Sequence, residues 1–218
     1  NIFENLGCVF IKIGQLLAIR IDILPKEITQ ELEKLHDCVK NFDGKLIKKF
    51  IERSNINLKN VLLYFEENPI ATGSIAQIHK ATLCTKKIVI IKILKPNILK
   101  EIKLTFLILN YLKLFIFNKK LKYEYCKLLQ QLQKIINKEI NFKNELLNMD
   151  QIRKNFQYDS MIKIPKIYYY LSNEKIITME FIKNGFPFDE IYYKKLPEFL
   201  VRNITKKFIK IFFIQVFR

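Results

Sequence analysis

Tryptophan is absent from this 218-residue chain, and glycine (5), proline (6) and cysteine (4) are scarce. Cys8, Cys38, Cys84 and Cys126 stand more than 25 residues apart, with no Cys-x-x-Cys pair and no cysteine–histidine cluster. That spacing argues against a zinc site and gives no disulfide framework, which suits a reducing compartment. Long apolar runs are missing too. The most apolar stretch, Leu104 to Phe117, is broken by Asn110 and Lys113. It falls short of the roughly 20 apolar residues a membrane-spanning helix needs. The chain opens at Asn1 without a methionine or a signal-peptide pattern, so it is expected to be a piece of a longer protein.

Arginine is the next shortage. Only five of the 38 basic residues are Arg, against 21 acidic residues and a formal charge of +17. A charge of that size suggests an anionic partner: nucleic acid, a membrane surface or a phosphorylated ligand. Arg is the side chain that reads guanine and phosphate bidentately, and its scarcity weakens the nucleic-acid reading. Abundant Lys, Ile and Asn with little Gly read as drift in an AT-rich genome, which assigns most of the charge to drift and solvated helix faces. Half the residues are hydrophobic and 13% are aromatic, so the chain folds around a core.

Three blocks follow. Residues 1–63 read as helical, with Ile28, Leu32, Leu35 and Val39 at helical spacing behind Pro25 and a second helix from Asp43 to Arg53. Residues 64–95 are β-prone at Tyr64–Glu66, Ala76–Leu83 and Lys87–Leu94, with a turn at Thr72-Gly73-Ser74. Residues 97–157 contain no Pro or Gly and read as helical, with Ile135, Ile136, Leu146 and Leu147 among their apolar positions. After Pro165, Lys166–Leu171 and Lys175–Ile182 read as a hairpin turning at Ser172-Asn173-Glu174. Gly185 and Pro187 make a break, and Leu196–Phe217 is a last helix. A small antiparallel sheet carrying one central helix is the outline of an α+β, protein-kinase-like small lobe.

Several residues could carry chemistry. The stretch Ile70-Ala71-Thr72-Gly73-Ser74-Ile75-Ala76-Gln77-Ile78 joins two strands through small residues, which lets backbone N–H groups approach phosphate. It could equally be an ordinary turn. Lys92 ends the apolar strand Ile88-Val89-Ile90-Ile91 in the V-A-I-K manner, in which Lys reaches the α- and β-phosphates and pairs with a helix Glu. The alternative is a strand-end lysine reaching solvent. Glu139 and Glu145 lie on the helical block six residues apart, an off-face spacing. One could therefore pair with Lys92 and the other with a different cation, or both could be ordinary exposed carboxylates. Gly14, inside the apolar helix around Lys12 and Gln15, marks either close helix packing or approach to a ligand. His79 reads as a core histidine and His36 as a surface one.

With these residues in place, the sequence resembles the UbiB family, the aarF-domain, protein-kinase-like proteins of ubiquinone biosynthesis. Lys12-Ile13-Gly14-Gln15, followed by Arg20, Asp22, Leu24-Pro25, Leu32, Leu35 and Asp37, resembles the family's KxGQ helix and its continuation. Phe42-Asp43-Gly44-Lys45-Leu46 is similar to the bacterial subgroup. Pro69 to His79 resembles the alanine-rich loop that stands in for the kinase glycine-rich loop, and Val89 to Pro96 the lysine strand. Glu139-Ile140-Asn141 resembles the ExD motif, Thr178 to Ile182 the adenine hinge, and Gln215 to Arg218 the segment before the catalytic loop. Two departures stand out: Thr72 and Gly73 where the family has small Ala or Ser, and Asn141 where it has Asp.

The resemblance implies a helical extension with the KxGQ motif over 1–63, a kinase-like lobe with a long helical insert over 64–182, and the start of a second lobe over 183–218. It implies ATP binding through Ile70 to Ile78, Lys92, Glu180 and Ile182, with Glu145 paired to Lys92. Lys12, Gly14, Gln15, Glu139 and Asn141 would form a lid where a protein substrate would otherwise sit. Catalytic residues and most Mg2+ ligands are expected after Arg218. The implied function is an atypical kinase or ATPase that supports ubiquinone biosynthesis at the polyprenylphenol hydroxylation stage. Its implied place is the cytoplasmic face of the bacterial inner membrane, beside isoprenoid lipid precursors and the other ubiquinone biosynthesis enzymes. A non-catalytic membrane- or isoprenoid-binding scaffold is the alternative. No nucleic-acid partner is expected, because aromatic–Arg interleaving and any recognition motif are lacking.

Overall fold

The computed structural model describes residues 2–36, 41–53, 58–159, 162–183, 185 and 197–217. Asp37, Val39, Pro187, Leu196 and Arg218, each given a place above, lie outside the described residues, as does the side chain of His36. The chain is α+β. Helices α1 (Ile2–Leu6), α2 (Cys8–Ala18), α3 (Lys26–Glu33), α4 (Gly44–Glu52) and α5 (Leu58–Val61) precede the sheet. Strands β1 (Leu62–Phe65), β2 (Ala71–Thr72), β3 (Ala76–Leu83) and β4 (Ile88–Leu94) follow, then α6 (Ile98–Leu112), α7 (Lys119–Glu139) and α8 (Phe142–Asn155). Strand β5 (Ile176–Glu180) and helix α9 (Glu198–Phe217) complete the order. No helix among the described residues is long and apolar enough to cross a membrane.

The sheet runs β1-β3-β4-β5, all antiparallel, with β2 also paired to β3. Burial alternates along β3 and β4, as a period of two requires. Ala81, Leu83, Val89, Ile91 and Ile93 form the buried face. Ile47 and Ile51 of α4 and Leu58 of α5 close it, each at most 1% exposed. Burying each such aliphatic side chain contributes about 1.5–3 kcal/mol. The helices ahead of the sheet thus complete its core, and Lys92 is left on the opposite face.

Asp43 caps α4 by accepting from Lys45 N–H at 2.9 Å. Gly44 opens that helix directly against the chain before β2. A Cβ there would lie 2.0 Å from the Glu67 carbonyl oxygen, so the position admits only glycine.

Three local readings change. The buried positions are Thr29 and Leu32 of α3 and Leu35 of the 3-10 turn at Lys34–His36, while Ile28 is exposed. The block 97–157 is broken into three helices without Pro or Gly. Asn118 caps α7, accepting from Lys120 and Leu121 N–H, and Asn141 caps α8. On α7 and α8 the buried positions are Leu129, Leu132, Ile136, Phe142 and Leu146, while Ile135 and Leu147 are exposed. The partner expected for β5 is a single bridge, Ile167 to Met179, followed by a 3-10 turn at Tyr169–Leu171. Side chains replace the ladder there. Ser172 Oγ donates to Tyr168 C=O and accepts from Thr178 N–H, while Asn173 Oδ1 accepts from Lys175 and Ile176 N–H.

The chain divides into two compact units. One comprises residues 1–146 and 166–180, the other 147–165 and 181–218. The second holds the C-terminal part of α8 and helix α9, where Arg202 makes an i,i+4 pair with Glu198 at 2.8 Å.

His79 is fully buried on the closed face of the sheet, stacked on Phe65, with Nδ1 3.0 Å from Glu66 C=O. Its Nε2 meets no hydrogen-bond partner among the described residues. Burial pushes its pKa below the ordinary value, with the Glu66 contact acting weakly the other way. The unfolded chain therefore takes up this proton first as pH falls. Stability should be steady above about pH 7 and decline as pH falls through about 6.5, by at most about 1.4 kcal/mol per pH unit. Urea midpoints measured across that range check this, and His79→Leu should flatten the decline.

Candidate functional site

Two ion pairs diverge from the junction of α7 and α8. Lys92 of β4 donates to both carboxylate oxygens of Glu145 at 2.7 Å, and its Nζ lies 5.0 Å from the centre of the Phe142 ring. Lys12 of α2 pairs with Glu139 at 2.8 Å. The two lysine side chains are 26% and 20% exposed, so both charges are partly desolvated without being sealed. Glu139 ends α7, and Glu145 lies in the first turn of α8. Each carboxylate takes a different lysine, and the helix breaks at Ile140–Asn141 between them.

Asn141 is part of that break. Its Oδ1 accepts from Lys143 N–H at 3.1 Å, closing the first turn of α8. Asn and Asp cap helices about equally well, so Asn141 fills this local role as an Asp would. Phe142, next in sequence, is buried and donates its N–H to Glu174 C=O at 3.0 Å, which fixes where α8 starts relative to β5.

The loop over 70–78 is a tight turn. Gly73 N–H donates to Ala76 C=O at 2.8 Å, and Ser74 and Ile75 within the turn are buried. Ala71 and Thr72 pair with Ile78 and Gln77. The loop's polar side chains are all directed to the preceding helical segment. Thr72 Oγ1 donates to Asn41 Oδ1 at 2.7 Å, and Ser74 Oγ donates to Gln15 Oε1 at 3.3 Å. Gln77, fully buried, accepts from Phe42 N–H at 2.9 Å and donates to Phe42 C=O at 3.2 Å. What the loop can offer an anion is its backbone. Gly73 adopts no positive φ, and a Cβ there would meet only Ala76 C=O at 3.5 Å, so this glycine is not required by the turn.

Helix α2 is held from four sides. Besides Lys12–Glu139 and Gln15–Ser74, Val9 N–H donates to Glu101 of α6 at 3.0 Å, and Lys95 Nζ approaches Cys8 Sγ at 3.8 Å. Glu101 thereby caps α2 from a distant element, beside Gly7 at φ 105°. Lys95 is buried, and its own N–H donates to Ile75 C=O, which ties the loop to the end of β4. Burial pushes the Lys95 pKa down and the Cys8 pKa up. Gly14 packs: a Cβ there would lie 2.3 Å from Leu35 Cδ1. Cys8, Lys95, Glu101, Phe142 and the steric role of Gly44 escape a reading of the sequence. Only the Asp43-Gly44 cap and the Lys95-Pro96 strand end hint at them.

The antiparallel register places Ile78, Lys92 and Ile177 in one row across the Lys92 face of the sheet. At the hinge stretch, Thr178 is buried, with Oγ1 donating to Leu171 C=O, and Glu180 N–H donates to Lys166 C=O. Ile182 lies in the second unit. Among the described residues no three His, Cys, Asp or Glu side chains converge as a metal site.

The model of the ABC1 atypical kinase-like domain matches residues 34–218. The chain belongs to the ABC1 atypical kinase-like family. Proteins named probable protein kinase UbiB are similar to it over almost its whole length. That of Providencia stuartii is 34% identical over 221 residues, covering 99% of this chain and 40% of that protein. That of Blochmanniella pennsylvanica is 33% identical over 220 residues, with the same coverage. The chain thus spans about 40% of the length of these relatives. Among solved structures, the Rv3197–erythromycin complex from Mycobacterium tuberculosis superposes with a TM-score of 0.51 at 18% identity, covering 82% of this chain and 45% of that one. That likeness shows a shared fold.

The two glycines of this region should respond oppositely to alanine. Gly14→Ala overpacks against Leu35 and should cost about 1–3 kcal/mol. Gly73→Ala should stay within about 0.5 kcal/mol. Thermal or urea unfolding of the two variants checks the contrast.

Proposed function

We propose that this chain is the nucleotide-binding part of a UbiB-type atypical kinase or ATPase that supports ubiquinone biosynthesis, at the polyprenylphenol hydroxylation stage. ATP would lie on the Lys92 face of the sheet, with Lys92 at its α- and β-phosphates and the amides of the 73–76 turn above them. Glu145 holds the Lys92 ammonium in place and aims it at the phosphates. Ile78 flanks Lys92 on one side and supplies an apolar surface, while Ile177 on the other side is fully buried. At the end of β5 the Glu180 carbonyl would be offered to adenine, its N–H being bonded to Lys166 C=O. The observation that carries the reading is the two-oxygen contact between Lys92 and Glu145 at 2.7 Å. Mg2+ would accompany the nucleotide, with most of its protein ligands expected after Arg218.

Lys12, Gln15 and Glu139 act as a lid whose closed form sets the loop's position through Ser74. Substrate access on that side is accordingly a property of the extension. Titration calorimetry with Mg-ATP tests the site. Lys92→Ala should weaken binding by about 10- to 100-fold, the loss of a charged contact worth about 1.5–3 kcal/mol. Glu145→Gln should weaken it less, since the ammonium remains. Unchanged affinity in Lys92→Ala would reject the assignment and favour the scaffold reading.

A further inference from the structure

The Lys92 ammonium has two neighbours that hold it in different ways. An ammonium carries three N–H donors. Contacts to both Glu145 oxygens at 2.7 Å engage two of them and leave one. The other neighbour is Phe142, with Nζ over its ring and 5.0 Å from the centre. A ring face attracts a cation through its quadrupole and takes up no N–H in doing so. The ring is itself held in place. Phe142 is 2% exposed, and its N–H donates to Glu174 C=O at 3.0 Å. The next carbonyl in that turn, Lys175 C=O, accepts from Leu94 N–H of β4, also at 3.0 Å. One turn before β5 therefore fastens both the ring and the strand that carries Lys92.

We propose that Phe142 is a positioning residue for the nucleotide lysine. Its ring face steadies the Lys92 ammonium beside Glu145 and leaves the third N–H for a phosphate oxygen. A second carboxylate in the ring's place would take up that donor and repel the phosphate. An aliphatic side chain would fill the space and leave the ammonium to swing on its flexible stem. An aromatic ring does neither. Phe142 has no polar or titratable side-chain atom, so it acts through Lys92 alone, and its role rests on the reading of Lys92 as the nucleotide lysine.

Fluorine on the ring tests this, because it withdraws electron density from the face and changes the ring's size little. Mono-, di- and trifluorophenylalanine placed at position 142 should weaken Mg-ATP binding in that order, as read by titration calorimetry. The loss over the series should be about threefold to tenfold, at an unchanged thermal midpoint. Phe142→Leu should weaken binding as much, but it also alters packing in the core, so the fluorinated series decides. In Lys92→Met the same fluorines should have no effect. A graded loss that persists in Lys92→Met would mark a packing role and overturn the proposal. A flat series would also overturn it, and if Lys92→Ala still weakens binding the nucleotide site itself stands. Unchanged affinity in Lys92→Ala would remove the site and the role of Phe142 together.

Discussion

The break between α7 and α8 at Ile140–Asn141 governs the arrangement of charge in this lobe. Six residues apart, Glu139 and Glu145 would lie on different faces even of a continuous helix, and the break lets the segment that carries Glu145 take its own direction. Capping by Asn141 restarts the helix, so Glu145 faces Lys92 while Glu139, at the end of the preceding helix, faces Lys12. Each lysine comes from a different layer, one from the sheet and one from the N-terminal helices. The junction therefore joins the face that carries Lys92 to the extension through two carboxylates, and the buried Phe142 ring anchors it beside the Lys92 ammonium.

The extension is an integral part of the lobe. Its helices α4 and α5 seal one side of the sheet, which leaves the Lys92 side as the face available to a ligand. Helix α2 holds the loop at Ser74, and the chain before α4 holds it at Thr72 and Gln77. In this molecule the loop's side chains serve as its fastening and its backbone is what remains for chemistry. Movement of α2 would therefore be felt at the loop, because Gln15 and Ser74 share a hydrogen bond.

Much of this is legible in the sequence. Alternating apolar residues locate β3 at its observed bounds, Ala76–Leu83, and β4 to within a residue of its start. The six-residue spacing of Glu139 and Glu145 implies two separate partners, and the structure supplies them. What escapes has physical causes. Pro and Gly are the usual marks of a helix end, whereas this chain stops and starts helices at Asn118 and Asn141, whose side chains do the capping. The strand expected before β5 is lost to Ser172 and Asn173, whose side chains take over the backbone bonds. Links of long sequence separation, such as Glu101 to Val9 and Gln77 to Phe42, leave no periodic trace at all. The steric role of a glycine is likewise silent in the sequence: Gly44 is fixed by the Glu67 carbonyl, whereas Gly73 has room for a Cβ.

The central claim is that Lys92, among 33 lysines, is the one at the phosphates of bound nucleotide. An acyl phosphate of ATP tests it directly. The amine nearest the phosphates attacks the acyl carbon, an amide forms, the acyl–phosphate bond breaks and ATP leaves. Peptide mapping by mass spectrometry should find the acyl group on Lys92, and excess ATP should suppress it there selectively. Labelling spread over exposed lysines such as Lys119 and Lys120, indifferent to competing ATP, would contradict the account.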